Sequence, residues 1–157
     1  MNDLVWRAVK KTQYPAVKEP AGLARTDGKR PDGATLITWT RGKPLAWDIT
    51  IPDAYARSYI DDTAARATAA ADRAAANKIA KYAELNTTHH FTPIAIETGG
   101  ARNQLAMEFV SEIGKKDDRG DERTTRDSVP ISAILNCVTE SECARVQKYI
   151  HNRAVIL

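Results

Sequence analysis

Asp32 and Asp48 are the residues that first invite a chemical reading, because each sits where a strand-forming run would avoid charge. Asp32 immediately precedes the run "GATLITW", and Asp48 lies inside "LAWDIT". Both runs are rich in β-branched and aromatic residues, and the "TRGKP" between them has the Gly and Pro of a hairpin connection. In such a hairpin the start of the first strand lies beside the end of the second, so the two carboxylates meet at one end of the sheet. Neighbouring carboxylates repel, and they require a proton, a cation or a basic partner. Oxygens held rigidly in this way suit Mg²⁺, which keeps several waters and takes one or two carboxylates.

The basic partner is absent from the strands. Position 50 shares a strand face with Asp48, yet it is Thr50. Lysines appear instead on the Ala-rich stretch "DTAARATAAADRAAANKIAKYAEL", where Lys78 and Lys81 stand at i and i+3, flanked on that face by Ala74 and Leu85. A helix lying against the sheet would deliver an ammonium to the carboxylates, where it orients water and offsets charge on a phosphate. Each of these residues also has an ordinary reading. Asp32 in "PDG" is turn chemistry, Asp48 suits an edge strand or a structural ion pair, and the lysines suit a solvated helix face.

The elements that must position these groups follow from pattern. Leu4, Val5, Ala8 and Val9 mark a helix over residues 2–12, ended by Pro15. "PAVKEP" reads as a short edge strand between prolines, and "AGLARTDGKRPDG" as a loop. Pro52 closes the strand carrying Asp48. A single long helix is expected over about 62–85 on propensity, its nine alanines between 64 and 76 permitting close approach to a sheet. "FTPIAIET" is the next strand, ended by Gly99 and Gly100. Leu105, Phe109 and Ile113 recur at helical spacing in "ARNQLAMEFVSEIGKK", followed by a charged loop, "KKDDRGDERTTRD". In the tail, Ser128 caps and Pro130 begins a further helix in "SVPISAIL", and "ECARVQKYIHN" follows. The resulting class is α/β, one domain over residues 1–157 with a small central sheet.

Composition narrows the function classes. The chain carries 43% hydrophobic and 27% charged residues, as a soluble globular domain does. It contains no run of about 18 apolar residues, so no membrane span is expected, and "MNDLVWRAVKK" lacks the apolar core of a signal peptide. Cys137 and Cys143 are too few for a disulfide framework and are read as free thiols in an intracellular setting. Net charge is +3, but residues 1–50 hold nine Lys/Arg against five Asp/Glu, so an anionic partner meets that third first. Within it, Arg25, Lys29 and Arg30 precede Asp32 and suit contact with the phosphates of such a partner. Glu97, closing the fourth strand, is a possible addition to the carboxylate site. His89-His90 lacks a spaced third metal ligand and is read as a strand entry, and Trp39 and Trp47 as packing residues. No Gly-rich loop links a strand to a helix, and no Ser-His-Asp arrangement is present.

The ordered set "RPDG…AWDIT…KIAKY" resembles the active-site signature of the restriction-endonuclease-like, PD-(D/E)XK, superfamily. It is similar in particular to the endonuclease domain of site-specific non-LTR retrotransposons. There the Lys that usually follows the second acid is replaced by one on the next helix. The segments "NDLVWRAV", "EPAGLARTDGKRPDG", "HHFTPIAIETGG" and "RVQKYIHNRAV" extend the resemblance over most of the chain. It implies a core of helix, three strands, helix and strand with additional C-terminal helices. It also implies that Asp32, Asp48 and the Ile49 carbonyl bind Mg²⁺ or Mn²⁺, with Lys81 catalytic and Lys78 assisting or alternative. The implied reaction is hydrolysis of double-stranded DNA in the nucleus, leaving a 3′-hydroxyl that primes reverse transcription. A reverse transcriptase domain and a zinc-knuckle module would then belong to the same polypeptide. Two readings share the residues without the retroelement: an inactive DNA-binding module of the same fold, and a stand-alone nuclease or junction-resolving enzyme.

Overall fold

The computed structural model describes residues 1–120 of the chain. The readings made for the tail (the Ser128–Pro130 helix start, Cys137, Cys143 and most of the charged loop) lie outside the described residues. Four strands form one mixed sheet in the order β1-β2-β3-β4: β1 (Ala16–Lys18), β2 (Gly33–Thr40), β3 (Lys43–Thr50) and β4 (His90–Ala95). The first three are antiparallel neighbours, and β4 runs parallel to β3. That parallel pair requires a crossover, which helices α2 (Ile60–Ala65) and α3 (Ala69–Lys81) supply. Helices α1 (Asn2–Lys11) and α4 (Gln104–Gly120) complete a mixed α/β layer.

The β2–β3 connection is tighter than the five residues expected. Thr40 pairs with Lys43, so Arg41 and Gly42 alone make the turn, with φ of 48° and 75°. Two successive positive φ values are the geometry that matches the twist of a hairpin. Pro93 sits in the middle of β4, which is an edge strand among the described residues, where a missing N–H is tolerated.

The expected single Ala-rich helix is two helices. The break at residues 66–68 is bridged by short-range contacts: Arg66 pairs with Asp72 at 2.8 Å, and Thr68 Oγ1 donates to the same carboxylate at 3.0 Å. Beyond Lys81 the chain tightens into a 3₁₀ turn over Ala83–Thr87 rather than continuing as α-helix. The first part of the expected charged loop is also helical, since α4 runs to Gly120. Lys116 explains part of this extension: its ammonium donates to Tyr14 Oη and the Trp39 carbonyl, both at 3.1 Å, and lies 4.5 Å from the Trp39 ring.

One face of the sheet carries the main core. Trp39, Leu45, Trp47, Ile94 and Ile96 pack there against Val5 and Val9 of α1 and Phe109 and Ile113 of α4. On the opposite face Ala95 meets Ala71, Ala74 and Ala75 of α3, and Ala34 and Ala46 meet Tyr82 and Phe91. Side chains of this size let a helix lie close to the strands.

Candidate active site

The hairpin brings the two aspartates together. Gly33 pairs with Trp47, so Asp32, one residue before β2, falls opposite Asp48, one residue further along β3. Gly33 is required here for space: a Cβ at this position would lie 2.0 Å from the buried Trp47 ring. The Asp32 main chain is pinned by two donors to its carbonyl, Asn2 Nδ2 and the Glu19 amide, each at 2.8 Å. Asn2 also accepts the Trp47 indole N–H at 3.1 Å, tying α1 to both strands. The Asp32 carboxylate accepts the Ile49 amide N–H at 2.7 Å through Oδ2. In an extended strand the C=O leaves on the same side as the N–H of its residue. Thr50, by contrast, turns its carbonyl to β4, accepting from the Ile96 amide at 3.1 Å.

The two carboxyls differ in environment. Burial, followed by the charge of Asp48, pushes the Asp32 carboxyl above its ordinary value, against the Ile49 hydrogen bond that favours its ionised form. Asp48 is only 4% exposed. The Lys78 ammonium lies 2.5 Å from its Oδ2, yet no aligned hydrogen bond reaches that buried oxygen. The pair is therefore an ion contact with acceptor capacity left over.

The ammonium that reaches the carboxylates is that of Lys78, not of Lys81. Buried Ala71, Ala74, Ala75 and Tyr82 mark the stripe of α3 and its end that faces the sheet, and Lys78 lies on that stripe at i+7 from Ala71. Lys81 falls to one side, with its ammonium 4.7 Å from the centre of the Tyr82 ring. The signal was present in the sequence: placing Tyr82 inside rather than outside rotates the buried stripe onto Lys78. Tyr82 itself donates its hydroxyl to the Arg30 carbonyl at 2.9 Å, bracing the loop that carries Asp32.

Glu97 shares the sheet face of Asp48, through the pairing of Thr50 with Ala95, and is 3% exposed. Its Oε1 accepts the Ala71 amide N–H at 3.0 Å, so its carboxylate satisfies an orphan donor in the first turn of α3. Arg25 donates to the Lys81 carbonyl, Arg30 pairs with Glu19 at 3.0 Å, and Lys29 is exposed. Trp39 and Trp47 are buried, and β4 begins at His90. Asn2, Gly33 and Tyr82 are the positioning residues that sequence reasoning passed over.

No protein-family model matches the chain, and no curated protein is detectably similar to it. The site must therefore be judged on its own donors. Among the described residues no group of three or more His, Cys, Asp or Glu is assembled, so any metal would rest on the aspartate pair with main-chain help. That pair fits a divalent cation: the two aspartates lie opposite each other in the hairpin register, one ammonium contacts Asp48, and buried Asp48 Oδ2 lacks an aligned donor. Among the described residues, no helix is long and apolar enough to cross a membrane.

Proposed function

We propose that this domain is a metal-dependent endonuclease that hydrolyses phosphodiester bonds in double-stranded DNA and leaves a 3′-hydroxyl. The observation that carries the reading is the Asp32–Asp48–Lys78 constellation: two strand-end carboxylates and an ammonium delivered from the following helix. The order of α1, three antiparallel strands, a helical crossover and a parallel fourth strand supports the finer reading, a restriction-endonuclease-like core. Mg²⁺ or Mn²⁺ would be held by Asp32, Asp48 and the Ile49 carbonyl. When bound, the ion supplies Lewis-acid polarisation of the phosphate and lowers the pKa of water.

The chain's own groups divide the remaining work. The Ile49 amide fixes the rotamer of Asp32, while Asn2 and Glu19 hold its backbone. Lys78, with a half-buried stem, keeps a positive charge beside Asp48 and offsets charge developing on the phosphate. Lys81 stands one turn away and assists from the flank. Arg25, Lys29 and Arg30 border the Asp32 loop and suit contact with DNA phosphates, Lys29 most freely. The same reading makes the domain one module of a nuclear retroelement polypeptide, nicking DNA so that the 3′-hydroxyl primes reverse transcription. Supercoiled plasmid incubated with Mg²⁺ tests the activity: wild type should yield nicked circles and Asp48→Ala none. Equal products from both, or none from wild type, would overturn the assignment.

A further inference from the structure

Beside the aspartate site lies a second concavity that none of Asp32, Asp48 and Lys78 lines. It has a volume of about 410 Å³, with Leu23 and Arg25 on one wall and Lys81, Tyr82, Leu85 and His89 on the other. This size suits a small molecule or a single nucleotide, and it is too small for a duplex. Its lining is divided. Arg25, Lys81 and His89 supply nitrogen donors, opposed by the carboxylates of Glu84 and of Asp27, 3.6 Å from Arg25 Nε, whereas Leu23 and Leu85 are half-buried apolar surface packed on the Tyr82 cluster. The Arg25 guanidinium and Lys81 ammonium lie 6.0 and 4.7 Å from the Tyr82 ring centre. Lys81 is thus turned toward this cleft rather than toward Asp48.

The cleft is mechanically joined to the aspartates. Tyr82 donates to the Arg30 carbonyl at 2.9 Å, two residues before Asp32. Lys81 follows Lys78 by three residues, so the two side chains leave α3 about 60° apart around its axis. The cleft therefore borders the loop that carries Asp32.

We infer that the cleft is a subsite for one unpaired nucleotide of the substrate strand, its phosphate held by Arg25, Lys81 and His89 and its base against Leu23 and Leu85. This assignment to a substrate strand rests on the nuclease reading. Apolar side chains flanking an extruded base provide contact that tolerates any sequence, while cations at the rim provide the phosphate contact.

The test uses the full chain in metal-free buffer, titrated with deoxyadenosine monophosphate, deoxyadenosine or inorganic phosphate and followed through the amide resonances of residues 22–25 and 87–89. The monophosphate should give saturable shifts there and bind more tightly than either fragment. The Thr87→Glu, His89→Glu double variant adds rim charge outside the core and should weaken it about ten-fold or more. Absence of saturable shifts at these amides, or equal binding by variant and wild type, would overturn the subsite. Phosphate binding as tightly as the monophosphate would reduce it to an anion site and refute the base contact. With Mg²⁺, the variant should raise KM for a nicking substrate containing unpaired nucleotides and leave kcat unchanged. Monophosphate binding by a chain that never nicks DNA would refute the substrate-strand assignment while keeping the nucleotide site, which separates the two failures.

Discussion

The two faces of the sheet are built from different materials. Toward α1 and α4, β3 and β4 present Leu45, Trp47 and Ile94, followed by Ile96 just beyond β4, all at most 2% exposed. Toward α3 the same two strands present Ala46, Asp48, Thr50 and Ala95, with Glu97 just beyond β4, and α3 answers with Ala71, Ala74 and Ala75. The first face removes large apolar groups from water and supplies most of the stabilisation. The second face buries little per residue, but its small side chains bring the helix near enough for Lys78 to touch Asp48. A thin face is the condition for placing buried charge, since a long side chain such as Leu at these positions would hold the ammonium away.

If that division is right, substitutions should separate cleanly by face. Trp47→Ala should cost about 4 kcal/mol of stability, transfer and cavity together, read as a lowered midpoint in chemical denaturation. Asp48→Asn, one residue along the same strand, should leave the midpoint nearly unchanged in metal-free buffer. It should slow Mg²⁺-dependent nicking by on the order of 10³-fold. A Trp47 variant that stays stable, or an Asp48 variant that unfolds, would erase the distinction.

Lys78→Ala should lower the nicking rate on the order of 10²-fold, measured at saturating DNA. Lys81→Ala should lower it by less than about ten-fold and act mainly through KM. The reverse ranking would show that the face of α3 is set by something other than the Ala71–Tyr82 stripe. Enlargement probes the thin face directly. Ala75→Leu should destabilise by about 1–3 kcal/mol through overpacking, and should also lower the nicking rate of the molecules that remain folded. Preserved activity would mean that close approach of α3 is not what positions Lys78.

The smallest effect belongs to His89, at the cleft beyond α3. Burial holds its imidazole below the ordinary 6.5, so the folded chain takes up this proton less readily than the unfolded one. Stability is then complete above 6.5 and declines as pH falls through 6.5 toward the lower folded value. The difference between wild type and His89→Asn in urea midpoints should change over that interval and level off on either side. A constant difference across it would place His89 in water.

Much of this arrangement was legible before the fold was known, and the reason differs by element. The α1 helix, the edge strand β1, the β2–β3 hairpin and β4 follow from apolar period and from Pro and Gly, which act locally. The aspartate pair was legible because hairpin antiparallelism alone sets the start of one strand beside the end of the other. The two-residue turn was not, since Arg41 at φ 48° is an uncommon choice where Asn or Asp is preferred. Nor was the break before α3: alanine propensity favours one continuous helix, and the interruption is accompanied by contacts of Arg66 and Thr68 with Asp72 and by Glu97, just beyond β4, accepting the Ala71 amide.

By itself, then, the sequence determined the element types, the pairing of Asp32 with Asp48 and the presence of lysines on the following helix. Those outcomes depend on backbone periodicity and short-range turn chemistry. Only the tertiary structure decided which lysine serves the aspartates and what Glu97 does. Both depend on the rotation and height of α3 over the sheet, which are set by contacts between residues far apart in the chain. Ala95 against the α3 alanines, Tyr82 against Arg30 and Glu97 against the Ala71 amide are such contacts. Three residues along a helix turn a side chain by about 60° around the axis, enough to move an ammonium from a buried carboxylate to the rim of a neighbouring cleft.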